Sequence, residues 1–160
     1  MTRPQPTWRS LLFVPVTSER FVAKAHTRGA DAIILDLEDS ILPAHKTAAR
    51  AALPAAVPRV AQGGADVVVR INRPLDLAVA DIAACVMPGV AALMLPKVMG
   101  PEHVRLLAEL VTDREAALAM PIGHTRFLAL IESPAALPHL FAIAAEPVAD
   151  RFEPLDLLRR

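Results

Sequence analysis

Five short runs of nearly continuous apolar residues recur along the chain. They are SLLFVPV (Ser10–Val16), AIILDLE (Ala32–Glu38), VVVRIN (Val67–Asn72), ALMLPKV (Ala92–Val98) and FLALIES (Phe127–Ser133). A strand with one wet face alternates apolar and polar positions. Runs this continuous read instead as strands buried on both faces, as in a parallel sheet. Helical patterns lie between them. Ser18 is placed to cap a helix carrying Phe21, Val22 and Ala25 on one side and stopping by Gly29. Ala44 to Ala61 is alanine-rich, with Pro54 and Pro58 expected to break or kink its second half. Leu75 to Met87 reads as a shorter helix. Pro101 suits a first helical position, with Val104, Leu107, Leu110 and Val111 forming an apolar stripe. Ser133-Pro134 opens a last helix to about Ala145.

Strand and helix thus alternate through residues 1–145, which predicts an α/β fold with a parallel sheet and right-handed crossovers. An open doubly wound sheet and a (β/α)₈ barrel are the two outcomes. No glycine-rich phosphate loop follows any run, so a dinucleotide-binding version has little support. In residues 146–160, EPVADRFEPLDLLRR, the alternation fails: two prolines and seven charges replace it, and an irregular tail is expected.

The polar residues on these runs are placed unevenly. Asp36 and Glu38 share one face of the second run, and Arg70 and Asn72 share one face of the third. Lys97 ends the fourth run and Glu132 the fifth. Four runs therefore carry a charge at or near the C-terminal end, where parallel α/β proteins gather their chemistry. Carboxylates with few nitrogen ligands favour a hard cation such as Mg²⁺. A planar guanidinium at Arg70 could grip a substrate carboxylate or enolate oxygen. Together they suit enolate stabilisation beside a carbonyl.

Blander readings compete. Arg70 or Glu132 taken alone is equally consistent with a strand end meeting solvent. Asp39, followed by Ser40 and Pro43, reads more readily as a structural residue opening the next helix. Lys97 reads as an ion-pair partner more than as a base, and Cys85 as a small core residue.

Composition narrows the class. The 160 residues are 54% hydrophobic and 21% charged, a folding composition. Lys+Arg and Asp+Glu are 17 each, so no net positive charge speaks for nucleic acid or a membrane surface. No apolar run approaches the ~20 residues that span a bilayer. A single cysteine excludes an internal disulfide and suits a reducing cytoplasm. The first ten residues, MTRPQPTWRS, lack the apolar core of a signal peptide.

RSLLFVP (Arg9–Pro15), GADAIILDLEDSI (Gly29–Ile41), VRIN (Val69–Asn72), LPKV (Leu95–Val98) and LIES (Leu130–Ser133) occur in the order and spacing of the HpcH/HpaI aldolase/citrate lyase family. The chain most resembles the citrate lyase β-subunit-like branch, over about Arg9 to Ala145. The resemblance implies a (β/α)₈ barrel, usually in a homotrimer or larger assembly. It implies Mg²⁺-dependent carbon–carbon cleavage of a 3-hydroxyacyl thioester, citryl- or malyl-like, on CoA or an acyl-carrier protein. Some members hydrolyse the thioester. Motif by motif, the family's substrate-binding arginine falls on Arg70 and its first metal-ligating carboxylate on Glu132. Its acidic pair supporting substrate and metal waters falls on Asp36 and Glu38. Glu132 and Lys97 join Arg70 in the expected substrate-binding set, and Lys46 and Arg50 fall in a "K…AR" stretch without a clear role.

The chain also departs from that pattern. A complete barrel of this type takes about 250 residues. Five strands predict a partial TIM barrel, about the first five βα units. The family's second metal ligand belongs to a GxEDL-like motif on the sixth strand. EPLDLL (Glu153–Leu158) is only a faint echo of it, and the role is not carried to Asp156. A truncated or frameshifted lyase, or one piece of a split one, is therefore expected, with open sheet edges that a partner would have to cover. Three functions stay open: a CoA-ester lyase, a non-catalytic binding or assembly fragment of one, and an aldolase of the same superfamily acting on a free oxo acid.

Overall fold

The structure is a computed structural model and describes residues 7–146. The irregular tail expected from residue 146 on, Asp156 included, lies almost wholly outside the described residues. The strands are β1 (Leu11–Pro15), β2 (Ala32–Asp36), β3 (Asp66–Arg70), β4 (Ala92–Leu95) and β5 (Arg126–Ala129). They are joined by α1 (Glu19–Ala25), α2 (Lys46–Val60), α3 (Leu75–Cys85) and α4 (Pro101–Ala117). A 3₁₀ turn (Pro134–His139) and α5 (Leu140–Ala144) follow β5.

All neighbouring strands pair in parallel, in the order β1-β2-β3-β4-β5. Two observations decide between the two expected architectures. The strand order never reverses, and the helices pack on one face only. Val22 and Ala25 of α1, Leu53 and Val57 of α2, Ile82 of α3 and Leu107 of α4 join Ile33, Leu35, Val67, Val69, Leu93 and Phe127 in one apolar cluster. The opposite face carries its own cluster of Ala32, Ile34, Val68, Ala92, Met94 and Leu128, with no helical residue in it. A doubly wound sheet reverses direction and takes helices on both faces. This is a partial (β/α)₈ barrel, and the second cluster is its lumen. Trp8 packs against this cluster, its Nε1–H donating to Asp66 Oδ2 at 2.8 Å.

Three local expectations are corrected. The strands stop earlier than the apolar runs, so Glu38, Asn72, Lys97 and Glu132 stand on the turns just beyond them. α2 runs through both Pro54 and Pro58. Both prolines face solvent, while Ala49, Leu53, Ala56, Val57 and Val60 bury the other side. Packing of that stripe outweighs the missing N–H groups, and the freed carbonyls can be solvated. The last helix begins as a 3₁₀ turn with Pro138 inside it, capped as expected by Ser133 Oγ, which accepts from Ala135 N.

β1 and β5 each pair on one side only among the described residues. Phe141 on α5 is 90% exposed, so apolar surface continues past the β5 edge. No described helix is long and apolar enough to cross a membrane. Leu53 is fully buried where α2 meets the sheet. Leu53→Ala should cost about 2–5 kcal/mol, read as a lower urea midpoint with the circular dichroism spectrum retained below the transition.

Candidate active site at the C-terminal ends of the strands

One line of the register crosses the upper sheet: Pro15, Asp36, Arg70, Met94 and Leu128 stand side by side. Asp36 and Arg70 are direct neighbours in it, both on the lumen face. Arg70 Nε and Nη2 donate to Asp36 Oδ1 and Oδ2, each at 2.7 Å, a two-point pairing that fixes the guanidinium plane. The backbone N–H groups of Glu38 and Ser40 donate to the same two oxygens at 2.9 and 3.1 Å. Burial pushes the Asp36 carboxyl up. The hydrogen bonds from Arg70, Ser40 and Glu38 outweigh that and hold its pKa at about 2.

Glu38 extends the cluster. Its Oε2 lies 3.2 Å from Arg70 Nη1, and its Oε1 accepts from Lys97 Nζ at 2.7 Å. Lys97 also reaches Asp39 at 3.3 Å, and the pairing with Glu38 raises its pKa. Lys97 holds a left-handed backbone, φ 51°, a conformation an ordinary side chain adopts at a cost. Asp39 caps no helix: its carboxylate points to Lys97, and the residue before α2 is His45. The Arg70 guanidinium also stands 4.8 Å over the Phe13 ring, so β1 contributes a wall to the site.

Glu132 stands three residues past β5 and is exposed. The β4–β5 pairing carries on above the strands through Leu130 N to Leu95 O (2.9 Å) and Val98 N to Leu130 O (3.3 Å). This brings the segment bearing Glu132 beside the Lys97 turn. Asp36, Glu38, Arg70 and Lys97 are thus joined in one network, and Glu132 stands apart from it. Phe13 was not anticipated, although alternation along β1 puts it on the lumen face with Leu11 and Pro15. Asn72, expected to share Arg70's face, turns instead to Asp81 on α3, where its N–H and Nδ2 donate to Oδ2 at 2.7 Å each. Cys85 is fully buried, and desolvation raises its pKa far above that of a free thiol, in keeping with a core residue.

The upper end of the barrel-like sheet thus gathers a guanidinium, two buried carboxylates and an ammonium in one charge-paired network. A model of the family described as HpcH/HpaI aldolase/citrate lyase matches residues 9–153. The chain belongs to the HpcH/HpaI aldolase/citrate lyase family. It is 37% identical over 145 residues to the citrate lyase subunit beta of Leuconostoc mesenteroides subsp. cremoris, covering 89% of this chain and 47% of that protein. It is 36% identical over 107 residues to a (3S)-malyl-CoA thioesterase of Cereibacter sphaeroides, covering 66% of this chain and 38% of that one. Among solved structures, the citrate lyase beta subunit of M. tuberculosis complexed with oxaloacetate and magnesium superposes with a TM-score of 0.63 at 31% identity, over 86% of this chain and 53% of that one. The Haloferax volcanii malate synthase magnesium/glyoxylate complex reaches 0.78 at 16% identity, covering 92% and 50%, a likeness of fold alone. The chain spans about half the length of the curated relatives it matches.

Magnesium appears with these neighbours, so the donor set here matters. Mg²⁺ takes one or two carboxylates and keeps several waters or substrate oxygens. Asp36, Glu38 and Asp39 each lie within ion-pair distance of Arg70 or Lys97, whereas Glu132 is exposed past the end of β5. Among the described residues no three His, Cys, Asp or Glu gather into a metal cluster.

The Asp36 shift carries a stability prediction. A depressed folded-state pKa stabilises above the unfolded value near 4 and is lost as pH falls through about 2. Asp36→Asn should unfold at lower urea than the parent at pH 6, by ~1–2 kcal/mol. The gap should narrow steadily as both are titrated toward pH 2.

Proposed function

We propose that this chain carries the oxo-acid end of a CoA-ester carbon–carbon lyase, cleaving a 3-hydroxyacyl thioester of the citryl- or malyl-CoA kind to acetyl-CoA and an oxo acid. The observation that supports it most is the orientation of Arg70. A guanidinium has five N–H groups, and Asp36 engages two of them edge-on. Glu38 Oε2 lies 3.2 Å from Nη1, and the N–H groups that neither acid engages remain for acceptors in the lumen, with the Phe13 ring centroid 4.8 Å from the guanidinium carbon. A planar, permanently charged donor fixed in this way suits a carboxylate of the oxo-acid part.

In such a cleavage the hydroxyl at C3 loses its proton and the C2–C3 bond breaks. Its electron pair passes into the thioester as an enolate, and C3 becomes the carbonyl of the oxo acid. Protonation at C2 then yields the acetyl thioester. Arg70 would bind and orient the carboxylate next to C3, with Asp36 holding it. Glu38 and Lys97 would keep the surrounding charge balanced and order water at the mouth, and Lys97 adds a cation for the anionic substrate. Glu132 would hold Mg²⁺, which when bound supplies Lewis-acid polarisation of the oxo-acid oxygens. This reading also expects a CoA or acyl-carrier-protein thioester as substrate, a homo-oligomer and a cytoplasmic setting. A second reading is favoured by the lack of a three-ligand cluster among the described residues: a module that binds the oxo acid without turning over a thioester.

Two measurements separate them. Purified chain with Mg²⁺ and either citryl-CoA or malyl-CoA should release acetyl-CoA. Arg70→Ala should lower kcat/KM by about 10²-fold or more, and Glu132→Gln should raise the Mg²⁺ concentration needed for half-maximal rate. Absence of acetyl-CoA release, with oxo-acid binding retained, would establish the binding module in place of the lyase.

A further inference from the structure

Lys46 and Arg50 on α2 have no role in the site as described so far, yet both reach toward it. Lys46 is the first residue of α2, where a cation opposes the positive end of the helix dipole. Its ammonium donates to the carbonyls of Leu37 at 2.7 Å and Glu38 at 2.6 Å. Those two residues form the turn directly after Asp36. Burial depresses the Lys46 pKa, against the pull of Asp81, Asp36, Glu38 and Asp39 nearby.

A second arm reaches the same turn from α3. Asp81 is 0% exposed, a carboxylate in the middle of an apolar helix. Its Oδ1 accepts from Arg50 Nε at 2.6 Å, and its Oδ2 accepts from the N–H and Nδ2 of Asn72. Asn72 Nδ2 in turn donates to the Leu37 carbonyl at 2.9 Å. The turn is therefore held from two helices at once. A buried ion pair is weak evidence for stability, since apolar residues of similar volume often serve as well. Here three of the bonds, two from Lys46 and one from Asn72, end on the Leu37 and Glu38 carbonyls of the turn that carries Glu38 and follows Asp36.

We infer that Lys46 and Asp81 are positioning residues: acting through the Leu37 and Glu38 carbonyls, and with Arg50 and Asn72 as links, they fix the turn that sets Asp36 and Glu38 against Arg70. The inference rests on the reading of Arg70 as the oxo-acid receptor.

The test uses the full chain with ¹⁵N-labelled arginine. The Arg70 Nε–H resonance is identified by its loss in Arg70→Lys. Lys46→Met keeps the aliphatic stem and removes the donor at a partly exposed position. It should leave the thermal midpoint near that of the parent, move the Arg70 Nε–H resonance, and weaken oxaloacetate binding in the presence of Mg²⁺ about tenfold by calorimetry. Asp81→Asn should move the same resonance in a protein that still folds. If it does not fold, Lys46→Met alone decides. An unmoved resonance and unchanged affinity in folded Lys46→Met would overturn the proposal, leaving Lys46 a helix-end packing residue. If the parent chain itself fails to bind oxaloacetate, the receptor reading falls, and the resonance still decides whether the turn is held in this way.

Discussion

The site depends on one contact, the two-point pairing of Arg70 with Asp36 across adjacent strands. Parallel register makes them neighbours, and the lumen face makes them partners. Neither charge is tolerable there alone: Asp36 is 1% exposed, and an isolated buried carboxylate would neutralise itself. Paired, the carboxylate stays ionised and the guanidinium is held flat, with the Phe13 ring on its face. Stability and donor orientation thus share a cause, because the interaction that allows the burial also fixes the guanidinium plane.

The rest of the upper rim continues this balance of charge. Glu38 lies between Arg70 and Lys97, and Asp39 adds a weaker contact on the solvent side. Lys97 reaches Glu38 from a left-handed backbone position, a strained geometry found at the site end of the strand. Beneath the rim, Lys46 and the Asp81–Asn72–Arg50 set hold the turn that follows β2. Helices on one face and a lumen on the other explain why such a network can form. The helices deliver buried polar groups to the strand ends from outside, while the strands deliver Asp36 and Arg70 from inside.

Much of this was legible in the chain, for specific reasons. Continuous apolar runs identify β1 to β5, and alternation along β2 puts Asp36 on the same face as Ile34. What alternation cannot show is where a strand stops. Glu38, Asn72, Lys97 and Glu132 all fall on turns, where period-two reasoning no longer orients a side chain. Asn72 shows the consequence, turning to Asp81 on α3. Asp81 itself was missed because a lone acid in "AVADIAAC" resembles a solvent-facing helical residue, and its partners are 9 and 31 positions away. Pro54 and Pro58 misled in the other direction, because local propensity gives no weight to the packed stripe opposite them.

The central claim is that Asp36 holds Arg70 ready for the carboxylate of an oxo acid. Its most direct test is a crystal structure of this chain soaked with oxaloacetate and Mg²⁺. The account predicts a ligand carboxylate within hydrogen-bond distance of the Arg70 N–H groups not engaged by Asp36 or Glu38, with the Asp36–Arg70 pairing intact. A ligand bound away from Arg70, or an Arg70 that leaves Asp36 to reach it, would contradict the account.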